Sequence, residues 1–176
     1  QITSEAIQVH GGYGYCSDYA VEQFAVDCKV LSIVEGTNGI QGLDFVMRKI
    51  LLDKGQYNLE VLKKTMRRTI EAAAAVVNER YLQSFEKGIA SFDSAVDRMK
   101  RLMDSGNYLA LLLNVDPLRK AAFDLTMAWM HIWSLTLTLP RVSSLTGGSS
   151  GDTLEAILER DKEAAFYYGK ACASEF

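Results

Sequence analysis

Only two prolines, Pro117 and Pro140, interrupt this chain of 176 residues. Runs that alternate apolar and polar residues around β-branched side chains are scarce, while Ala, Leu, Met, Lys and Glu recur at helical spacing. Straight-chain residues lose little freedom in a helix, and without proline few points force the backbone out of one. Such a chain is restricted to an all-α fold, here a helical bundle, and its length suffices for a proper core.

The pattern predicts a helix over residues 2–10, stopped by Gly11-Gly12-Tyr13-Gly14, and a second capped by Ser17 or Asp18 and running toward Val30. Thr37 or Asn38 can cap a third helix. Its Ile40, Leu43, Phe45, Val46, Ile50 and Leu51 form a core face, and it ends near Gly55. That stop divides the chain into residues 1–56 and 57–176. Beyond it the apolar spacing predicts a long helix over 59–87, another over 91–103 and a short one over 108–114. Pro117 opens an apolar helix that ends before Pro140. Residues 143–151 read as a Ser/Gly loop, after which Asp152 or Thr153 caps a last helix still running at Phe176. His131, Trp129 and Trp133 read as core residues of the apolar helix.

A formal charge of −3 gives no global attraction to nucleic acid or to an anionic membrane. Lys63-Lys64-Thr65-Met66-Arg67-Arg68 is the one local basic cluster, read as a solvated helix face or, more sharply, as an anion or nucleic-acid patch. Cys16, Cys28 and Cys172 have neither CxxC nor Cys/His spacing, which indicates no disulfide framework and no metal site and fits a reducing cytoplasm, a bacterial one above all. The stretch from Ala121 to Leu139 carries Asp124 and His131 and falls short of the roughly 20 clean apolar residues of a membrane span. The chain opens in mid-pattern with QITSEAIQ and no initiating Met, and is expected to be a piece cut at both ends.

Two segments could carry chemistry. In Ser32-Ile33-Val34-Glu35-Gly36-Thr37-Asn38-Gly39-Ile40-Gln41, one carboxylate sits between an apolar run and a helix start. Flanking Ile33 and Val34 would desolvate Glu35 and raise its pKa, as a general base for a carbon acid requires. The plain alternative is an ordinary carboxylate near a helix N-terminus. In Gln8-Val9-His10-Gly11-Gly12-Tyr13-Gly14-Tyr15, glycines let the backbone approach a ligand and Gln8 offers both donor and acceptor. The plain alternative there is a helix stop and a turn. No strand precedes these glycines or Gly147-Gly148-Ser149-Ser150-Gly151, so neither is a nucleotide-binding fingerprint.

Taken together, AIQVHGGYGY and DYAVEQFAVDCKVLSIVEGTNGIQGLD resemble the end of the acyl-CoA dehydrogenase fold, where a Q-x-x-G-G-x-G turn precedes an I-x-E-G-T-x-x-I-Q segment. The resemblance covers Ile2 to about Leu52. It implies that Glu35 removes the α-proton of an acyl-CoA thioester while the β-hydrogen leaves as hydride to FAD, giving a trans-2-enoyl-CoA. It also implies that Gln8, Val9, His10, Gly11 and Gly12 lie against FAD of a neighbouring subunit, that Thr37 and Gly39 touch FAD beside the base, and that Gly36 touches substrate. A homo-oligomer, dimer or tetramer, and electron-transfer flavoprotein are the implied partners. Two positions depart from the family pattern: Val34 stands where Tyr is common, and Val26 where Arg precedes the Asp matched by Asp27.

Residues 58–176, closing on KEAAFYYGKACASEF, resemble the C-terminal helical extension of a subgroup that includes methylthiopropionyl-CoA dehydrogenases. On this reading the piece alone holds no FAD and turns over no substrate, and its first three helices expose apolar surface that drives self-association. The competing reading is a helical assembly or nucleic-acid-binding module, as in an alkylation-response branch of the superfamily.

Overall fold

A computed structural model describes residues 2–175, the side chain of Glu175 excepted. Every regular element among them is helical, as the proline-poor composition predicts. The chain forms two compact units, one ending at Phe45 and the other beginning at Val46. This division falls before the Gly55 stop at which the sequence pattern divides the chain.

The first unit holds α1 (Ile2–His10), a 3-10 turn (Gly11–Tyr15), α2 (Ala20–Val30) and α3 (Asn38–Asp44). α1 and α2 pack on each other and on the turn. Val21 is the one buried apolar side chain among the unit's described residues, whereas Ile2, Val9, Leu31, Ile33 and Ile40 are 63–87% exposed. Two sequence expectations fail here. Neither Ser17 nor Asp18 caps α2, because the Cys16 carbonyl accepts from the Tyr19 N–H and a turn occupies that stretch, leaving extended Tyr19 at the cap position. Of the expected core face of the third helix, Ile40, Leu43 and Phe45 are exposed and only Val46, Ile50 and Leu51 are buried. The helix widens to π geometry over Phe45–Leu51, which shifts the rotation per residue and breaks a face counted at α-helical spacing.

The second unit holds α4 (Tyr57–Ala73), α5 (Glu79–Asp104), α6 (Tyr108–Leu113), α7 (Val115–Thr146), α8 (Asp152–Arg160) and α9 (Lys162–Glu175). α7 is central, with α4, α5, α6 and α9 all packed on it. α5 buries Leu82, Phe85, Ile89, Phe92, Val96 and Met99, a stripe at three- and four-residue steps. Its lower half joins Met66, Ile70, Ile132 and Leu135 in one core cluster. Its upper half joins Val46, Ile50, Leu111 and Leu118 in another. Each fully buried side chain of this size contributes about 1.5–3 kcal/mol relative to exposure. Trp129 is half-buried and donates through Nε1 to Thr69 Oγ1 at 2.8 Å, tying α7 to α4.

Several boundaries differ from the sequence reading, each for a local reason. The predicted 59–87 helix breaks after Ala73 because Asn78 caps α5, its Oδ1 accepting from the Arg80 N–H at 2.9 Å. α5 then absorbs the predicted 91–103 helix. α7 does not stop at Pro140 but runs to Thr146, which shortens the loop expected over 143–151. Proline removes only one ladder bond, and α9 braces this half of α7: Ser174 Oγ bonds Ser134 Oγ at 2.9 Å, and Arg141 Nε donates to Glu163 Oε1 at 3.2 Å. The last helix divides at Asp161, whose Oδ1 accepts from the N–H groups of Glu163 and Ala164. Whether it runs on at Phe176 lies outside the described residues. Trp133 is 51% exposed and is not core, because Ile132 takes the inward position beside it. His131 is not core either; it is half-buried and lines an open groove of about 690 Å³ between α5 and α7, beside Asp124 and Ser84.

The basic cluster on α4 is not wholly a solvated face. Lys63 is buried, with Nζ 2.9 Å from Asp93 Oδ1 and 2.6 Å from Glu60 Oε1. Burial opposes its charge, but the hydrogen bonds to Asp93 and Glu60 outweigh that and hold its pKa above the ordinary 10.5. Lys64, Arg67 and Arg68 remain exposed.

Asp93→Ala is expected to lower stability by about 1–3 kcal/mol, since it strips a buried ammonium of one partner. Lys63→Met, which removes the buried charge itself, is expected to cost less. Because the lysine pKa is raised, the advantage of wild type over Asp93→Ala is full below 10.5 and disappears as pH rises through the raised value. Urea unfolding across that range checks both the ranking and the sign. Pro140→Ala restores an N–H to the C-terminal part of α7 and is expected to stabilise the chain by up to about 3 kcal/mol; an unchanged or lower thermal midpoint would contradict it.

Candidate active site

Gln8, Val9 and His10 are the last residues of α1, and Gly11 and Gly12 open the 3-10 turn that follows; all five are exposed. The turn is drawn onto α1 at Gly14, which is buried. A Cβ there would lie 2.7 Å from the Ile7 carbonyl oxygen and 2.8 Å from His10 Cβ, so only glycine fits. The Tyr19 ring packs against both His10 and Tyr13, with centroids 5.9 and 5.7 Å apart, and fastens the turn to the start of α2. On the outer side a Cβ added at Gly11 or Gly12 would meet nothing within 4 Å. The turn therefore presents bare main chain next to Gln8.

Past α2, the N–H groups of Ser32 and Ile33 bond back to the carbonyls of Lys29 and Val30, and the chain winds through a series of turns. Glu35 then takes a left-handed backbone, φ 62, and Gly36 follows at φ 103. Thr37 returns to extended geometry and caps α3, its Oγ1 accepting from the Ile40 N–H at 3.4 Å. Of the two cap candidates, Thr37 holds the position. Gly36, Thr37 and Gly39 are exposed.

The Glu35 side chain is exposed as well, and Ile33 and Val34 beside it are 64% and 51% exposed. The desolvation expected from these two neighbours is not provided: the winding chain carries them outward, with no layer of this unit above them. What the sequence did not reveal is the conformation of Glu35 itself and the side chain that reaches it. Gln41 Nε2 donates to the main-chain carbonyl oxygen of Glu35. The glycine at 36 was the only local signal of a left-handed turn.

The structure thus brings residues 8–12 together in one turn and 35–39 together in another. α2, eleven residues or about 16 Å long, separates them along the chain. One offers glycine main chain and an amide side chain; the other offers a carboxylate able to take a proton beside a helix start. Among the described residues no group of His, Cys, Asp and Glu could hold a metal ion. The three cysteines are unpaired, and no described helix is long and apolar enough to cross a membrane.

Comparison with known proteins places both turns in one matched region. The sequence model of the family described as acyl-CoA dehydrogenase, C-terminal domain, matches residues 1–51. Butyryl-CoA dehydrogenase of Syntrophomonas wolfei is 40% identical over 97 residues, 53% of this chain and 15% of that protein. The broad-specificity linear acyl-CoA dehydrogenase FadE5 of Mycobacterium tuberculosis is 29% identical over 180 aligned positions, 98% of this chain and 27% of its own length. The 3-methylmercaptopropionyl-CoA dehydrogenase of Ruegeria pomeroyi is 32% identical over 108 residues, 56% of this chain and 17% of its own. The match therefore spans about a quarter or less of these relatives. No solved structure matches the chain. Its first 51 residues are similar to the C-terminal domain of the acyl-CoA dehydrogenases, and FadE5, which it resembles over 98% of its length, is named an acyl-CoA dehydrogenase.

Proposed function

We propose that this chain is the C-terminal part of an FAD-dependent acyl-CoA dehydrogenase, in which Glu35 is the base that removes the α-proton of an acyl-CoA thioester to give a trans-2-enoyl-CoA. The observation that carries this reading is that one family match, over residues 1–51, spans both the Gln8–Gly14 turn and the Glu35-Gly36-Thr37 helix start. Residues 57–176 are the helical extension, of the kind found in the methylthiopropionyl-CoA dehydrogenase-like subgroup.

The residues present fit the cofactor that this reading requires. Gly11 and Gly12 have open space where any side chain would stand, and Gln8 beside them is exposed. With His10 and Val9 they would hold the FAD of a neighbouring subunit, and Thr37 and Gly39 would line the flavin next to the base. Bound FAD would supply the acceptor for the substrate's β-hydride. The chain's own part is proton removal. A thioester α-proton is a weak carbon acid, so the carboxylate of Glu35 must work in a site closed to water. Its exposure here accords with a site whose other walls lie in the domains that the relatives have in addition. Gly36, next to the carboxylate, lets a bound thioester approach the main chain.

Electron-transfer flavoprotein as the electron acceptor, a dimeric or tetrameric assembly and a cytoplasmic setting belong to the same reading.

In the whole protein that carries this chain, Glu35→Gln is expected to keep bound FAD but to lose acyl-CoA-dependent flavin bleaching by about 10²–10⁴-fold, the range of a general base. Single-turnover bleaching measures this directly, and a variant that reduces its flavin at the wild-type rate would overturn the assignment.

A further inference from the structure

Glu35 stands in a backbone conformation that side-chain-bearing residues rarely adopt, and it is one of only two described non-glycine residues at positive φ. An exposed turn of this kind relaxes unless something holds it. Gly36, at φ 103, is no brake, because a glycine lets the peptide plane between 35 and 36 swing freely. The hold comes from one side chain. Gln41 Nε2 donates to the Glu35 carbonyl, which fixes that peptide plane and with it the direction in which Glu35 leaves the main chain.

Gln41 is itself held from two sides. Its own N–H bonds the Thr37 carbonyl at 3.1 Å, and the Thr37 hydroxyl accepts from the Ile40 N–H, so the first turn of α3 is closed where Gln41 projects from it. Chain connectivity, the cap and the side-chain amide together make a closed ring from 35 to 41. Glutamine suits this role because its amide gives a neutral N–H of the right reach, whereas glutamate of the same shape has no donor until it is protonated.

We propose that Gln41 is a positioning residue that aims the Glu35 carboxylate by pinning its main-chain carbonyl. This rests on the reading of Glu35 as the base. The test uses the whole flavoenzyme and three variants, with kcat, KM and flavin content measured from pH 5 to 8. Gln41→Leu is expected to lower kcat about 10–100-fold, the cost of a misplaced reacting group, with KM and FAD content unchanged. Gln41→Glu is expected to be similarly slow at pH 8 and to regain rate relative to wild type as pH falls and its carboxyl gains a proton to donate. A side chain that merely supported the fold would lower FAD content and stability in both variants, with a kcat ratio to wild type that does not change with pH. That result, or Gln41→Leu within about twofold of wild type, overturns the inference. If Gln41→Leu fails to fold, the pH dependence of the Gln41→Glu ratio decides alone. Glu35→Gln separates the two claims: full activity there removes the base and this inference with it, whereas loss of activity there beside a normal Gln41→Leu removes the inference only.

Discussion

The second unit depends on what α7 must bury. A helix of 32 residues touched by α4, α5, α6 and α9 buries side chains from Val115 to Thr146, and its neighbours are ordered around it. Ile132 and Leu135 face one core cluster, Leu118 the other, while Trp129 reaches Thr69 on α4 and Ser134 meets Ser174 on α9. Packing of this extent explains why the helix carries an interior proline. The lost bond and ring clash at Pro140 act on one turn, and the tertiary contacts act along the whole rod.

Much of this unit was legible in the residue order. The α5 stripe from Leu82 to Met99 repeats at helical spacing and is buried along its length. What misled was punctuation. Proline reads as a stop, yet Pro140 sits inside a helix; Asn78 and Asp161 look unremarkable in sequence, yet their side chains bond free N–H groups and start new helices. Caps are decided by one or two hydrogen bonds, and a residue type capable of capping occurs at many positions that do not cap. Ser17 and Asp18 are two such positions. The inward set of an apolar helix is equally hard to read: Trp129 and Trp133 are one turn apart, but one packs and the other faces solvent, because only the neighbouring helices decide which face turns in.

At the candidate site the residue types could be read and their geometry could not. The Thr37 cap followed from a hydroxyl before a helix, and the Gly11-Gly12 backbone from the absence of side chains. Positive φ at Glu35 left no trace in its own identity, since glutamate is not a residue that seeks it. Burial is hidden from the sequence for a related reason. Ile33 and Val34 are apolar neighbours of Glu35 in sequence, but neighbours in sequence shield a carboxylate only if the chain folds them over it, and here it leads them away.

The first unit has next to no interior: among its described residues Val21 is the one buried apolar side chain, and most of the larger ones are exposed. Fixing each residue's backbone costs roughly 1–2 kcal/mol in entropy, and a few helical turns with one buried valine cannot offset that from within. On the proposed reading, the order of this unit comes from the parts of the larger dehydrogenase that cover it. Folding and docking then become a single equilibrium, and the shape of the turn around Glu35 becomes a property set by that docking and not by the turn alone.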